Sequence, residues 1–227
     1  MWAEQLASYA TNQANENERA YWQYIAQIEN KPLPRDYKHD DVRILDNETV
    51  TVQWDRDETK QLVKQAHWAY NTEMNDLLLT ALGRALHAWA GLDQVIVNLE
   101  GHGRESIIKN MDITRTVGWF TSQYPVVLEM KPEQNLPYLI KRVKEGLRHI
   151  PQKGIGYGII RYLSDHQGNS YNIEPQISFN YLGQFDQDLQ NNAMQISPYS
   201  VGDTISKNTA RPYVLDLNGM IAGKNCL

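Results

Sequence analysis

Apolar residues recur at helical spacing from the start of the chain. Trp2, Leu6 and Tyr9 form one stripe and Tyr21, Ile25 and Ile28 another, with a polar break from Thr11 to Asn17. This predicts two short helices. Lys31-Pro32-Leu33-Pro34 should end the second, because proline lacks an amide proton and disfavours helical backbone before it. From Val42 to Trp54 the period becomes two, with Val50, Val52 and Trp54 on one face and Thr49, Thr51 and Gln53 on the other. That alternation predicts a half-buried strand. Asp55 followed by Glu58 has the form of a capping box, opening a helix striped by Leu62, Ala66 and Ala69 and ending near Asn71. Thr72 is placed to cap a further helix, with Leu78, Ala81, Leu82, Ala85 and Trp89 facing inward and Gly91 just past its end.

Val95 to Leu99 is a β-branched apolar run, the mark of a buried strand, and it delivers the chain to Glu100. Pro125 to Met130 predicts another strand. A helix from about Leu136 to Ile150 follows, capped by Asn135, with Leu139, Ile140, Val143 and Leu147 inward. Gln176 to Leu182 and Tyr213 to Ile221 predict two more strands. Strands and helices interleave without a strict βαβ rhythm, so the expected class is α/β in the sense of an α+β sandwich: a mixed sheet with helices packed on it. No internal repeat, low-complexity tract or linker divides the chain, which reads as one lobe.

Composition narrows the function. The 227 residues carry 22 basic and 27 acidic side chains, a formal charge of −5, scattered with no basic stripe that could follow phosphates. No nucleic-acid partner is expected. Cys226 is the only cysteine, so neither an internal disulfide, a CxxC zinc pattern nor a partnered cysteine nucleophile is available, which fits a reducing cytoplasm. The longest apolar stretch, Leu77 to Leu92, is broken by Arg84 and His87 and is too short and polar to cross a bilayer, so no membrane association is expected. Met1 leads into an amphipathic pattern rather than a secretory signal. The histidines at 39, 67, 87, 102, 149 and 166 make no close ligand pair, and His67 and His87 read as ordinary helical residues.

Three stretches are poor choices for simple packing. Glu100-Gly101-His102-Gly103-Arg104-Glu105 ends a buried strand in glycines alternating with ionisable groups; a strand end on a rigid sheet can hold the Glu100 carboxylate in fixed geometry. A tight polar turn facing water remains open beside that reading, and Arg115 to Thr121 could equally be a turn with buried aromatics. Pro151-Gln152-Lys153-Gly154-Ile155-Gly156-Tyr157-Gly158 suggests a loop with close backbone approach, and lacks the ending of a nucleotide-binding loop. Ser178-Phe179-Asn180-Tyr181-Leu182-Gly183-Gln184-Phe185 is a strand leaving into a glycine turn, where Asn180 could polarise a carbonyl or satisfy local backbone groups.

Together, EGHGRE at 100–105, RTVGWFT at 115–121, PQKGIGYG at 151–158 and FNYLGQF at 179–185 resemble the signature set of epimerization domains of non-ribosomal peptide synthetases, within the condensation-domain superfamily. The resemblance covers essentially the whole chain. It implies a chloramphenicol-acetyltransferase-like architecture of two lobes with the active site between them, residues 1–227 supplying the C-terminal lobe. The family's HHxxxDG motif lies in the N-terminal lobe and is absent here, so the chain alone should be inactive. The implied reaction is α-proton removal and return on an aminoacyl or peptidyl thioester, an isomerisation in antibiotic biosynthesis that yields a D-amino acid. By resemblance Glu100 matches the acid/base carboxylate, with Asn180 and Tyr181 near the thioester stabilising an enolate-like intermediate; His102, Arg104 and Glu105 should brace the loop. No cofactor is bound directly: the substrate arrives on the 4′-phosphopantetheine of a peptidyl carrier domain. The expected partners are that domain, the N-terminal lobe and adjacent synthetase domains. Two other readings stay open: a lobe of a peptide-bond-forming condensation domain, and a non-catalytic lobe that binds a carrier domain.

Overall fold

The computed structural model describes residues 2–12, 16–37, 41–109, 111–131, 133–164, 171–184 and 199–221. Cys226, Phe185, His39 and His166 lie outside this set. Helices α1 (Trp2–Thr11) and α2 (Glu16–Ala26) fall where the apolar stripes put them. α3 (Arg56–Lys64) opens on the Asp55–Glu58 box: Asp55 accepts from the Asp57 and Glu58 amides, and Glu58 accepts from the Asp55 amide at 3.1 Å. The helix stops at Lys64 rather than near Asn71, leaving Ala66 and Ala69 exposed and His67 outside any helix.

α4 (Met74–Ala90) begins one residue later than expected. Asp76, in its first turn, accepts from the Glu73 amide at 2.7 Å, a contact Thr72 does not make. Its buried face is Leu79, Gly83 and Leu86, while Ala81, Ala85 and Trp89 face outward. Leu78 and Leu82 pack half-buried against the core as expected, so the fully buried stripe lies about one residue beside the predicted one. Packing decides the rotation: a Cβ on Gly83 would stand 2.4 Å from the Met130 Cε, so the helix turns its glycine towards Met130 at the end of a neighbouring strand.

Strands β1 (Gln94–Gly101), β2 (Ser122–Glu129), β3 (Ile177–Gln184) and β4 (Leu215–Ile221) form one mixed sheet in the order β2-β1-β3-β4. β1 runs antiparallel to β2 and parallel to β3, and β3 parallel to β4. β2 lies at an edge, which is why it tolerates Pro125 mid-strand. α5 (Leu136–Arg148) is capped by Asn135, whose side chain accepts the Tyr138 amide at 3.0 Å, and buries Leu139, Ile140 and Val143. The glycine-rich 151–158 stretch is not a loop throughout: a tight turn at Pro151–Gly154 runs into helix α6 (Ile155–Leu163), which packs against α1 and β2. The main core joins α2, α4, α5 and α6 to the sheet through Trp22, Leu79, Leu139, Ile160, Ile96, Leu128 and Ile177.

One predicted strand does not form. Between Val42 and Trp54 there is a single antiparallel bridge from Arg43 to Ala210 and a short 3-10 turn at Ile44–Asp46; beyond it the chain is exposed, with Val50 83% and Val52 76% accessible. The alternation is real but finds no sheet among the described residues.

Candidate active site

The parallel register between β1 and β3 pairs Leu99 with Phe179, which brings Glu100 and Asn180 side by side at the ends of their strands. On the other flank the antiparallel register places Gln123 opposite Glu100. Both amide side chains donate to the carboxylate: Gln123 Nε2 to Oε1 at 3.0 Å and Asn180 Nδ2 to Oε2 at 2.8 Å. Each oxygen is thus held from a different strand, and a carboxylate gripped this way cannot swing while a proton moves to or from it. Glu100 lines a cavity of about 780 Å³ walled by α1, the 119–123 segment, α6 and Tyr213.

Asn98, two residues before Glu100 and on the same face, is buried and lines the same cavity. Its Nδ2 donates to the Tyr213 hydroxyl oxygen at 2.8 Å, leaving the phenolic proton free to donate elsewhere. Burial chiefly, then the charges of Asp216 and Glu100, raise the Tyr213 pKa, so the hydroxyl stays a donor. Neither residue was a candidate by sequence. They are 115 positions apart, and no local pattern announces the contact.

Tyr181 goes the other way. Following Asn180 on β3, it points to the opposite face, where its ring packs against the main core and approaches Gly219 on β4. The structure brings Asn180 against Glu100, and neither Asn180 nor Tyr181 is among the residues that line the cavity.

The rest of the EGHGRE segment braces itself. The Arg104 amide donates to His102 Nδ1 at 3.0 Å, and His102 Nε2 reaches Glu105 at 2.9 Å, with Lys153 3.4 Å from the same carboxylate. The Arg104 guanidinium donates to the carbonyls of Ile113 at 2.5 Å and Gly118 at 3.3 Å, and lies 4.1 Å from the centre of the Phe120 ring. This ties 115–121 to the strand end. Gly103 is obligatory: at φ +65° it passes so close to Phe120 that a Cβ would sit 1.5 Å from that carbonyl oxygen. Trp119, which a turn with buried aromatics would have covered, is 91% exposed at the cavity rim.

In PQKGIGYG, close approach is also the reason for Gly156. A Cβ there would meet the Glu18 carboxylate at 2.0 Å. Glu18 is buried, accepts from the Tyr9 hydroxyl at 2.6 Å and from Trp22 Nε1 at 3.4 Å, and sits against the first turn of α6, where the helix dipole favours an anion. Gly158, by contrast, lines the cavity with open space around it.

A carboxylate held from two strands at the edge of a cavity between helix and sheet is an arrangement that can take up and return a proton. The condensation-domain family model matches residues 1–226, and the chain belongs to that family. It is 54% identical over 223 residues to one of the mycosubtilin synthase proteins of Bacillus subtilis, covering 98% of this chain and 8% of that protein. It is 44% identical over 237 residues to gramicidin S synthase 1 of Brevibacillus brevis, covering 97% of this chain and 21% of the relative. Among solved structures, the epimerization domain from the third module of tyrocidine synthetase B superposes with a TM-score of 0.88 at 44% identity, over 99% of this chain and 51% of that one. A four-domain nonribosomal peptide synthetase matches at TM-score 0.67 and 16% identity, a likeness of fold alone. The chain thus spans about half of the solved epimerization domain and a small part of the synthetase proteins. Among the described residues no helix is long and apolar enough to cross a membrane.

Proposed function

We propose that this chain is the C-terminal lobe of a peptide-synthetase epimerization domain and supplies one of two acid/base groups that invert an α-carbon. The substrate is an aminoacyl or peptidyl thioester delivered on the phosphopantetheine arm of a carrier domain. The observation that carries the reading is the Glu100 carboxylate, held by Gln123 and Asn180 at the cavity wall. As base, Glu100 takes the Cα proton; the C–H electron pair moves into the carbonyl as an enolate, and a group on the opposite face returns a proton to Cα. With the roles exchanged the reaction runs backwards. The facing group, the histidine of the HHxxxDG motif, belongs to the N-terminal lobe. Asn180 acts as the clamp on Glu100 rather than as a direct donor to the enolate, and Tyr213, whose hydroxyl oxygen accepts from Asn98, offers its O–H as a donor on the wall of this cavity. Tyr181 supports β3 from the core side.

In the complete two-lobe domain, with an L-aminoacyl carrier as substrate, Glu100→Gln keeps the shape and removes the proton acceptor. The expected loss in α-proton exchange with solvent deuterium is about 10²–10⁴-fold, the usual worth of a positioned acid or base. Full exchange by the variant would sink the assignment. A lengthened peptide instead of a changed configuration would establish the condensation reading.

A further inference from the structure

Residues 48–54 are built like a strand but have no sheet. Val50, Val52 and Trp54 alternate with Thr49, Thr51 and Gln53, the β-branched and aromatic composition of strands. None has a positive φ, and the flanking residues Asn47 (φ −72°, ψ 136°) and Asp55 (φ −72°, ψ 176°) are extended. Yet every side chain from 48 to 54 is exposed, and no backbone group of the segment bonds to another element among the described residues. A run of unpaired N–H and C=O groups carrying exposed valines is a template for pairing, which proteins cover or blunt. No proline, lysine or bulge blunts it here.

Both ends of the segment are anchored. Upstream, Ile44 and Leu45 donate backbone hydrogen bonds to Thr209 and Lys207, and Arg211 donates to Val42. The 207–211 strip they grip runs directly into Pro212 and Tyr213 on the wall of the Glu100 cavity. Downstream, Asp55 caps α3. The arm is therefore tethered beside the cavity, on a protein whose solved relative carries nearly as much chain again as the 51% matched here. Trp119, at the cavity rim, and its neighbour Val117 are also exposed, at 91% and 100%.

We infer that residues 48–54 form a β-strand that pairs with an open sheet edge of the other lobe of the domain, so that this arm fixes the lobes about the cavity. Seven residues at about 3.3 Å each reach about 23 Å, an ordinary strand length. The inference rests on the two-lobe reading but not on epimerization. An edge strand bonded on one side uses the amides of alternate residues only, which gives the pairing a recognisable signature.

The test is residue-resolved amide hydrogen exchange on the complete two-lobe domain, read without any activity. Pairing predicts that within 48–54 amides of one parity exchange at least ~100-fold more slowly than their neighbours, independently of protein concentration. Proline at a protected position should then abolish that protection and expose the arm to limited proteolysis, while proline at the next position should leave both unchanged. Uniformly fast exchange across 48–54 in the complete, monomeric domain would overturn the inference. So would protection that appears only as concentration rises, which would assign the arm to a second copy. Alternating protection in a domain that shows no α-proton exchange would keep the arm and overturn the proposed reaction.

Discussion

Replacing Asn180 by alanine tests whether the grip on Glu100 matters to the chemistry. The contact is a 2.8 Å hydrogen bond to a half-buried carboxylate, with Gln123 holding the other oxygen at 3.0 Å. A hydrogen bond to a charged group is worth about 1.5–3 kcal/mol. At about 1.4 kcal/mol per tenfold, losing it from the reacting geometry costs about 10- to 150-fold in rate. Because Gln123 remains and water can enter the vacated space, about tenfold is expected for Asn180→Ala alone. Gln123→Ala should cost a similar amount. The double variant should lose more than the sum of the two, since only then is the carboxylate free to rotate. The assay is α-proton exchange on a saturating aminoacyl carrier with the complete domain. KM for the carrier should hold, because the contact that Asn180→Ala removes is one to the Glu100 carboxylate. If both single variants stayed within about twofold of the parent while Glu100→Gln was inactive, the clamp would be incidental to catalysis.

Two further predictions concern stability. Gly156→Ala drives a methyl group into the buried Glu18 carboxylate, 2.0 Å away. Overpacking of this kind costs about 1–3 kcal/mol, and should lower Tm by about 2–4 °C per kcal/mol in calorimetry; an unchanged Tm would mean that α1 and α2 shift freely against α6. At high pH, burial pushes Tyr21 from 10.0 up to about 12, and burial also raises Tyr124, Tyr157 and Tyr213. A raised folded-state pKa means that the unfolded chain loses its proton first, so stability holds below the unfolded value and falls as pH climbs from 10.0 to about 12. Urea titrations at about pH 9 and about pH 11 should show the fall, and Tyr21→Phe should reduce it; equal stability for the parent at both would refute it.

Much of the framework was legible because its causes are local. The Asp55–Glu58 box, the Asn135 cap, Gly91 just past α4 and the apolar run at Val95–Leu99 each depend on neighbours within a few residues, and each stands in the structure where the pattern put it. Glu100 was legible as a strand-end carboxylate. What the sequence left open was whatever a distant partner decides. Met130 rotates α4 through its contact with Gly83, α6 forms where alternate glycines suggested a loop, and β3 turns Asn180 towards Glu100 and Tyr181 away. Asn98 and Tyr213 meet across 115 positions, a contact that only the sheet order creates. The 42–54 alternation shows the boundary most plainly. A period of two records that side chains will face two environments, but whether a strand forms depends on an edge that supplies its hydrogen bonds, and none of the described strands does so for 48–54.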